Sequence, residues 1–271
     1  MAVGRRRDLD AISFIAVVWL LALAGIVLLI APTLVVIIVS FTSGFSLKFP
    51  PPGYSLRWYY ALIDAWQLHF AATNSFKIAL WTAALSIVLG VAASLGIARS
   101  PKLSAKILDS LFMSPLVLPA LAFGLSALML FSLVGLPVSP LTLVIGHTVV
   151  CVPFVIRTTV AAMTQLDPVL LESSASLGAS RLYTFRRITL PLIRPGILAG
   201  GFIAFMSSFD NVPVSLFLRD ARTDMLPIRM WQDLEGKLDV TIAAVSGVLI
   251  VATVALMVVM ERVAGLSRRL R

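Results

Sequence analysis

The sequence predicts an all-α integral membrane protein with six transmembrane helices, both termini cytoplasmic, and a polar cytoplasmic hairpin between helices 4 and 5. Three observations carry that prediction. Of 271 residues, 59% are hydrophobic and only 13% charged, where soluble domains are roughly half apolar and a quarter charged. Six stretches reach the about 20 apolar residues that cross a bilayer: 14–41, 74–98, 108–134, 139–164, 194–218 and 241–265. The cations are lopsided. An even number of spans puts both termini on one side, with fifteen Lys and Arg against six Asp and Glu; the other side has seven of each, so the net charges are +9 and 0. The positive-inside rule makes the basic side cytoplasmic. Residues 1–13 then read as a cytoplasmic N-terminal segment, 14–265 as a single six-helix domain and 266–271 as a basic cytoplasmic tail.

The first run, from about Ile12 to Val39, follows Arg5-Arg6-Arg7. It exceeds the roughly 7 to 15 apolar residues of a signal-peptide core, and no small-x-small cleavage site follows closely, so it is expected to remain as the first span. After "PPPG" at 50–53, Ser55 is the expected N-cap of an interfacial helix "LRWYYALIDAW". The loop "MLPIRMWQDLEG" at 225–236 has the same character. Such aromatics either anchor the bundle at the headgroups or dock a partner. In the third span Pro115 and Pro119 remove backbone donors, so a kink is expected there.

Between the fourth and fifth spans lies "LESSASLGASRLYTFRRITLP", residues 171–191. Asp167 is a good N-cap and Pro168 a good first helical residue. The helix should stop at Gly178, where glycine takes a left-handed conformation freely. A second short helix, "SRLYTFRRI", is expected to start at Ser180 and end before Leu190-Pro191. Leu170, Leu171, Leu177, Leu182, Tyr183 and Phe185 are apolar knobs on this hairpin, too few to form a core of their own. Either they pack under the bundle while the arginines meet anionic headgroups, or the hairpin plugs into a soluble partner.

The spacing of Glu172, Gly178, Ile188, Leu190 and Pro191 resembles the "EAA…G………I.LP" loop of inner-membrane permease subunits of binding-protein-dependent ABC importers. Ser173-Ser174 stand where that pattern has two alanines, and Ala175 follows. The resemblance implies that Glu172, Ser173, Ser174, Ala175, Gly178, Ile188, Leu190 and Pro191 form a coupling-helix hairpin seated in a groove of an ATP-hydrolysing subunit. Closure of the ATPase dimer would then move the spans as rigid bodies. It also implies a multi-pass protein of the bacterial inner (cytoplasmic) membrane that is not itself an enzyme and binds no cofactor, ATP-Mg being held by the ATPase subunits. The implied partners are that ATPase dimer, a second permease in a heterodimer, a periplasmic substrate-binding protein and membrane lipid. Consistently, the chain has no G-x-x-x-x-G-K-[ST]; its one Gly-Lys, at 236–237, precedes leucine.

The fifth span carries Gly196, Gly200, Ala204 and Ser208, a small-residue ridge for close helix approach, either within this chain or to a partner permease. "SSFDNVP" at 207–213 follows, with an acid and an amide at membrane depth and a proline that loosens the helix. An intramembrane ionisable residue suggests function. Asp210 could guide a cationic solute, with Ser207, Ser208 and Asn211 as hydrogen-bonding groups; or it could satisfy donors freed at Pro213, or pair with Arg219. "FMSSFDNVPVSLFL" with "MLPIRMW" is similar to the second permease subunits of spermidine/putrescine importers, which commonly show two adjacent acids where this chain has Asp210-Asn211. The resemblance implies a polyamine or related organic cation as solute, with an amino-acid derivative, an opine or ferric ion as alternatives.

Other classes fit less well. A high isoelectric point would suit a nucleic-acid binder, but the charge asymmetry is explained by topology and no nucleic acid is expected. Cys151 is the single cysteine, so no disulfide forms within the chain. His69 and His147 lack further ligands at useful spacing and read as structural rather than metal-binding, so no metal site is expected. A self-contained secondary transporter would favour inverted repeats and several intramembrane charges. A membrane enzyme would need a catalytic constellation. Neither is legible.

Overall fold

The structure, a computed structural model, describes residues 2–220, 222–237 and 240–264. Among them are only helices and connecting segments: α1 (Ala2–Ser40), α2 (Arg57–Ile63), α3 (Trp66–Arg99), α4 (Lys102–Val117), α5 (Ala120–Leu133), α6 (Pro140–Thr164), α7 (Pro168–Ser176), α8 (Arg181–Thr184), a π-helical turn (Phe185–Thr189), α9 (Leu190–Phe209), α10 (Val212–Leu218), α11 (Leu226–Lys237) and α12 (Thr241–Ala264). Five helical runs are long and apolar enough to cross a membrane, and a sixth span results if the bent pair α4–α5 counts as one. The expected tail at 266–271 and the last residue of the sixth span, 265, lie outside the described residues.

Contacts within the chain group it into two compact units. One joins the segment up to Asp64 with Asp233–Ala252; the other joins Ala65–Gln232 with the segment from Thr253. In the first unit the loop after α1 is tied down by polar and aromatic contacts. Ser40 Oγ and the Tyr59 hydroxyl are 2.7 Å apart, Trp58 Nε1 donates to the Gly44 carbonyl, and the Arg57 guanidinium lies 4.1 Å from the Phe45 ring centre. Trp19, Leu28 and Leu29 on α1 are exposed. Ser55 does not occupy the N-cap position predicted for it: α2 is capped at Leu56, and Ser55 Oγ accepts from Arg57 N one residue earlier than a cap would. The predicted interfacial helix also stops at Ile63, and its last residue, Trp66, opens α3 instead.

In the second unit α3, α6 and α9 pack on one another, with α4 against α3 and α6, and α10 against α5 and α6. α6 starts cleanly because Ser139 and Thr142 form a reciprocal capping box around Pro140, the first helical residue. Leu143, Val214, Leu218 and Met225 are buried in one core cluster, and Cys151, Val155 and Ala204 in another. The small-residue ridge of α9 faces α6 of the same chain: a Cβ at Gly196 would lie 2.6 Å from the Thr158 carbonyl oxygen. Side chains there would push the helices apart.

Two predicted spans are shaped differently. Instead of a kink, α4 and α5 meet at 102°. Leu118 is extended (φ −73, ψ 141) because the following Pro119 disfavours helix at that residue, and Pro119 has no N–H with which to rejoin it. The fifth span, expected over 194–218, is instead a helical run from Arg181 to Phe209, followed by a break and α10. The hairpin's second helix therefore does not end before Leu190-Pro191. The π turn widens the backbone ahead of Pro191, with Leu190 N reaching back five residues to the Phe185 carbonyl, so the chain passes the proline without leaving the helix.

Candidate functional site

Two polar interruptions of the apolar chain hold the candidate residues. In the hairpin, Asp167 Oδ1 accepts from Val169 N at 2.9 Å, capping α7. At its other end Gly178 has φ +76, the conformation that favours glycine. Gly178 N bonds to the Ala175 carbonyl at 3.0 Å and Ala179 N to the Ser174 carbonyl at 3.1 Å, the paired bonds of a Schellman turn. Ser180 Oγ then accepts from Tyr183 N to start α8. The caps and turn predicted from Asp167, Gly178 and Ser180 are thus formed.

The two serines at the alanine positions have different surroundings. Ser173 is exposed, whereas Ser174 is buried and its Oγ lies 2.8 Å from Thr184 Oγ1. The Thr184 hydroxyl donates to the Ser180 carbonyl, which leaves Ser174 to donate to Thr184. A hydroxyl here stitches α7 to α8, a bond alanine cannot make. The knobs divide: Leu177 is 87% exposed and Leu182 62% exposed, with Tyr183 also open. Glu172 is exposed beside them. Ala175, Leu171 and Phe185 instead line a cleft of about 630 Å³ whose far wall is Leu95, Arg99 and Met163 at the ends of α3 and α6. Ile188, Leu190 and Pro191 lie in and just after the π turn, where they join α8 to α9.

The second interruption is the break between α9 and α10. Asp210 occupies the C-cap of α9. Asn211 caps α10, its Oδ1 accepting from Val214 N at 3.0 Å. Ser207 is half-buried and Ser208 fully buried. Ser208 Oγ is 2.8 Å from His147 Nδ1, and His147 Nε2 is 3.0 Å from Ser215 Oγ. Of the four residues placed at the pathway by sequence, Ser208 and Asn211 therefore make internal structural bonds. Asp210 is exposed. Arg219, the cation considered as its partner, pairs with Asp224 at 2.9 Å, and among the described residues no other side chain bonds the Asp210 carboxylate. Phe205 and Phe209 stack nearby, ring centres 6.0 Å apart. Among the described residues no group of three or more His, Cys, Asp or Glu is arranged to hold a metal.

His147 was read from sequence as structural, but its two serine partners were not foreseen. They lie 61 and 68 residues away, and only the α6–α9–α10 packing brings them to the ring.

The sequence profile described as "Binding-protein-dependent transport system inner membrane component" matches residues 86–270. The spermidine/putrescine transport system permease protein PotC of Haemophilus influenzae is 28% identical over 209 residues, 77% of this chain and 81% of that protein. The putrescine transport system permease protein PotI of Escherichia coli is 31% identical over 213 residues, 76% of this chain and 75% of that protein. A chain of a bacterial ABC transporter that imports the acidic polysaccharide alginate has the same fold, with a TM-score of 0.70 at 16% identity over 97% of this chain and 98% of that one. On the family match and these relatives, the chain belongs to the binding-protein-dependent transport system inner membrane components and is a permease subunit of an ABC importer.

Proposed function

We propose that this permease forms half of a translocation pathway for a polyamine or related organic cation, with the 167–191 hairpin as the seat of a separate ATPase subunit. The observation that carries the pathway assignment is Asp210: a carboxylate without a side-chain partner among the described residues, at the break in a membrane-crossing helix. Such a group attracts a cation passing it, by about 4 kcal/mol at 4 Å with an effective dielectric of 20, before desolvation is counted. The names of the relatives PotC and PotI support a polyamine. The hairpin's exposed Leu177, Leu182 and Tyr183 support a soluble partner there, since apolar surface gains by being removed from water.

In this reading the termini and the hairpin face the cytoplasm, as the positive-inside rule requires, and the membrane is the inner one. A second permease completes the pathway as a heterodimer, a periplasmic binding protein delivers the solute, and ATP-Mg stays on the ATPase dimer. The spans move between inward- and outward-open arrangements as that dimer closes and opens.

A second reading, another solute on the same machinery, is favoured by Asn211. The polyamine importers it resembles commonly have a second acid there, so this pathway has one negative charge fewer. One experiment addresses both. In proteoliposomes holding the complete complex, uptake of spermidine, putrescine, an amino-acid derivative and a ferric complex is compared for the wild type and Asp210→Asn. The expected result is polyamine uptake that falls about tenfold in the variant, about 1.4 kcal/mol. Polyamine uptake equal in both removes Asp210 from the pathway; selective uptake of another solute replaces the polyamine.

A further inference from the structure

His147 projects from the first third of α6 and is completely buried. Its two ring nitrogens reach different helices: Nδ1 meets Ser208 in the last turn of α9, and Nε2 meets Ser215 in α10. In sequence, Asp210 and Asn211 lie between those two serines, so one side chain on α6 grips both sides of the break.

The backbone alone holds the break loosely. Asn211 N reaches the Ser208 carbonyl only at 3.4 Å, and Pro213 has no N–H to return to α9. α10 has seven residues, far fewer than the about 12–15 at which an isolated helix becomes even marginal. Its place is set by neighbours. A Cβ at Gly124 would lie 2.9 Å from the Pro213 carbonyl oxygen, so α5 touches the backbone of α10. Val214 and Leu218 pack α10 against Gly146 of α6 as well; to this close packing the imidazole adds two directional bonds that span the break. A neutral imidazole has one donor and one acceptor, and each serine hydroxyl offers both roles, so the two contacts are hydrogen bonds in either tautomer. Away from water a hydroxyl left without a partner is costly, which holds the two serines at the ring.

We propose that His147 is a positioning residue for transport. By bridging Ser208 and Ser215 it sets the angle between α9 and α10, and so the place at which the Asp210 carboxylate stands in the pathway. It does not touch the solute. The inference rests on the pathway reading of Asp210.

A mutant cycle tests it in reconstituted complexes whose assembly is checked by co-purification of all subunits. Uptake per ATP hydrolysed is measured for wild type, His147→Ala, Asp210→Asn and the double variant. His147→Ala is expected to lower it about fivefold in the wild-type background and by nothing further with Asp210→Asn, because the carboxylate it positions is then absent. His147→Gln, whose amide offers a donor and an acceptor at similar separation, should recover most of the loss. If His147→Ala does not assemble, Ser215→Ala cuts only the α10 arm, and about a twofold loss, again absent beside Asp210→Asn, is expected. Losses that multiply in the double variant, no loss in either His147→Ala or Ser215→Ala, or a His147→Gln as poor as alanine would overturn the proposal while leaving Asp210 in the pathway. An Asp210→Asn without effect would overturn both.

Discussion

In the hairpin Asp167, Ser174, Ser180 and Thr184 commit their polar groups to caps and to the Ser174–Thr184 seam, while Leu177, Leu182 and Tyr183 point out. At the α9–α10 break, Ser208, Ser215 and His147 satisfy one another in the interior, and the one charged group, Asp210, is left open. Both segments interrupt an apolar chain, but the hairpin withholds Leu177, Leu182 and Tyr183 from the bundle and the break withholds a charge. Uncovered apolar side chains gain by leaving water for a protein surface; an uncovered carboxylate gains from a cation or water. The contrast supports the proposal that the hairpin seats a partner and the break meets a solute.

The largest expected effect is at the hairpin turn. Gly178→Val forces a β-branched residue to φ +76, and with Glu172→Ala it should abolish ATPase-subunit association; co-purification at full stoichiometry would show that the hairpin is not the seat. Leu177→Asp leaves the fold intact because the side chain is open, yet should weaken the same association about tenfold, measured by titrating the detergent-solubilised permease pair with ATPase. If binding is unaffected, the exposed knobs lie outside the contact. Asp210→Asn, with its roughly tenfold loss of uptake, should leave that association unaltered, and a loss of ATPase binding there would collapse the distinction between the two regions. The smallest effect is at the seam. Ser174→Ala should cost about 1 kcal/mol of stability, read by denaturation of the purified subunit, and adding Thr184→Ala should cost little more because both partners are then gone. A full second penalty would show that the two hydroxyls act separately.

The helix ends of the hairpin were legible because capping is local. Asp167, Gly178 and Ser180 act on backbone groups within three or four residues, and the structure forms each cap. The continuation past Pro191 was not legible, since a proline ends a helix unless the preceding turn widens, and nothing in "FRRITLP" announces that widening. The right angle at Leu118–Pro119 was likewise underestimated as a kink: the proline marks the place, while the packing of α4 on α6 and of α5 on α10 sets the angle.

The number of spans, the place of the hairpin and the family motif follow from the sequence by itself, because hydropathy over about 20 residues and motif spacing are properties of the chain read in order. Tertiary structure decided which polar residues are available. Ser208 and Asn211 looked equivalent to Asp210 in "SSFDNVP", yet one is bonded to a histidine 61 residues away and the other caps its own helix. Hydrogen-bond partners supplied by a neighbouring helix leave no periodic trace in sequence. The packing of α6 against α9 commits Ser208 and a local cap commits Asn211, while among the described residues no side chain bonds the carboxylate of Asp210.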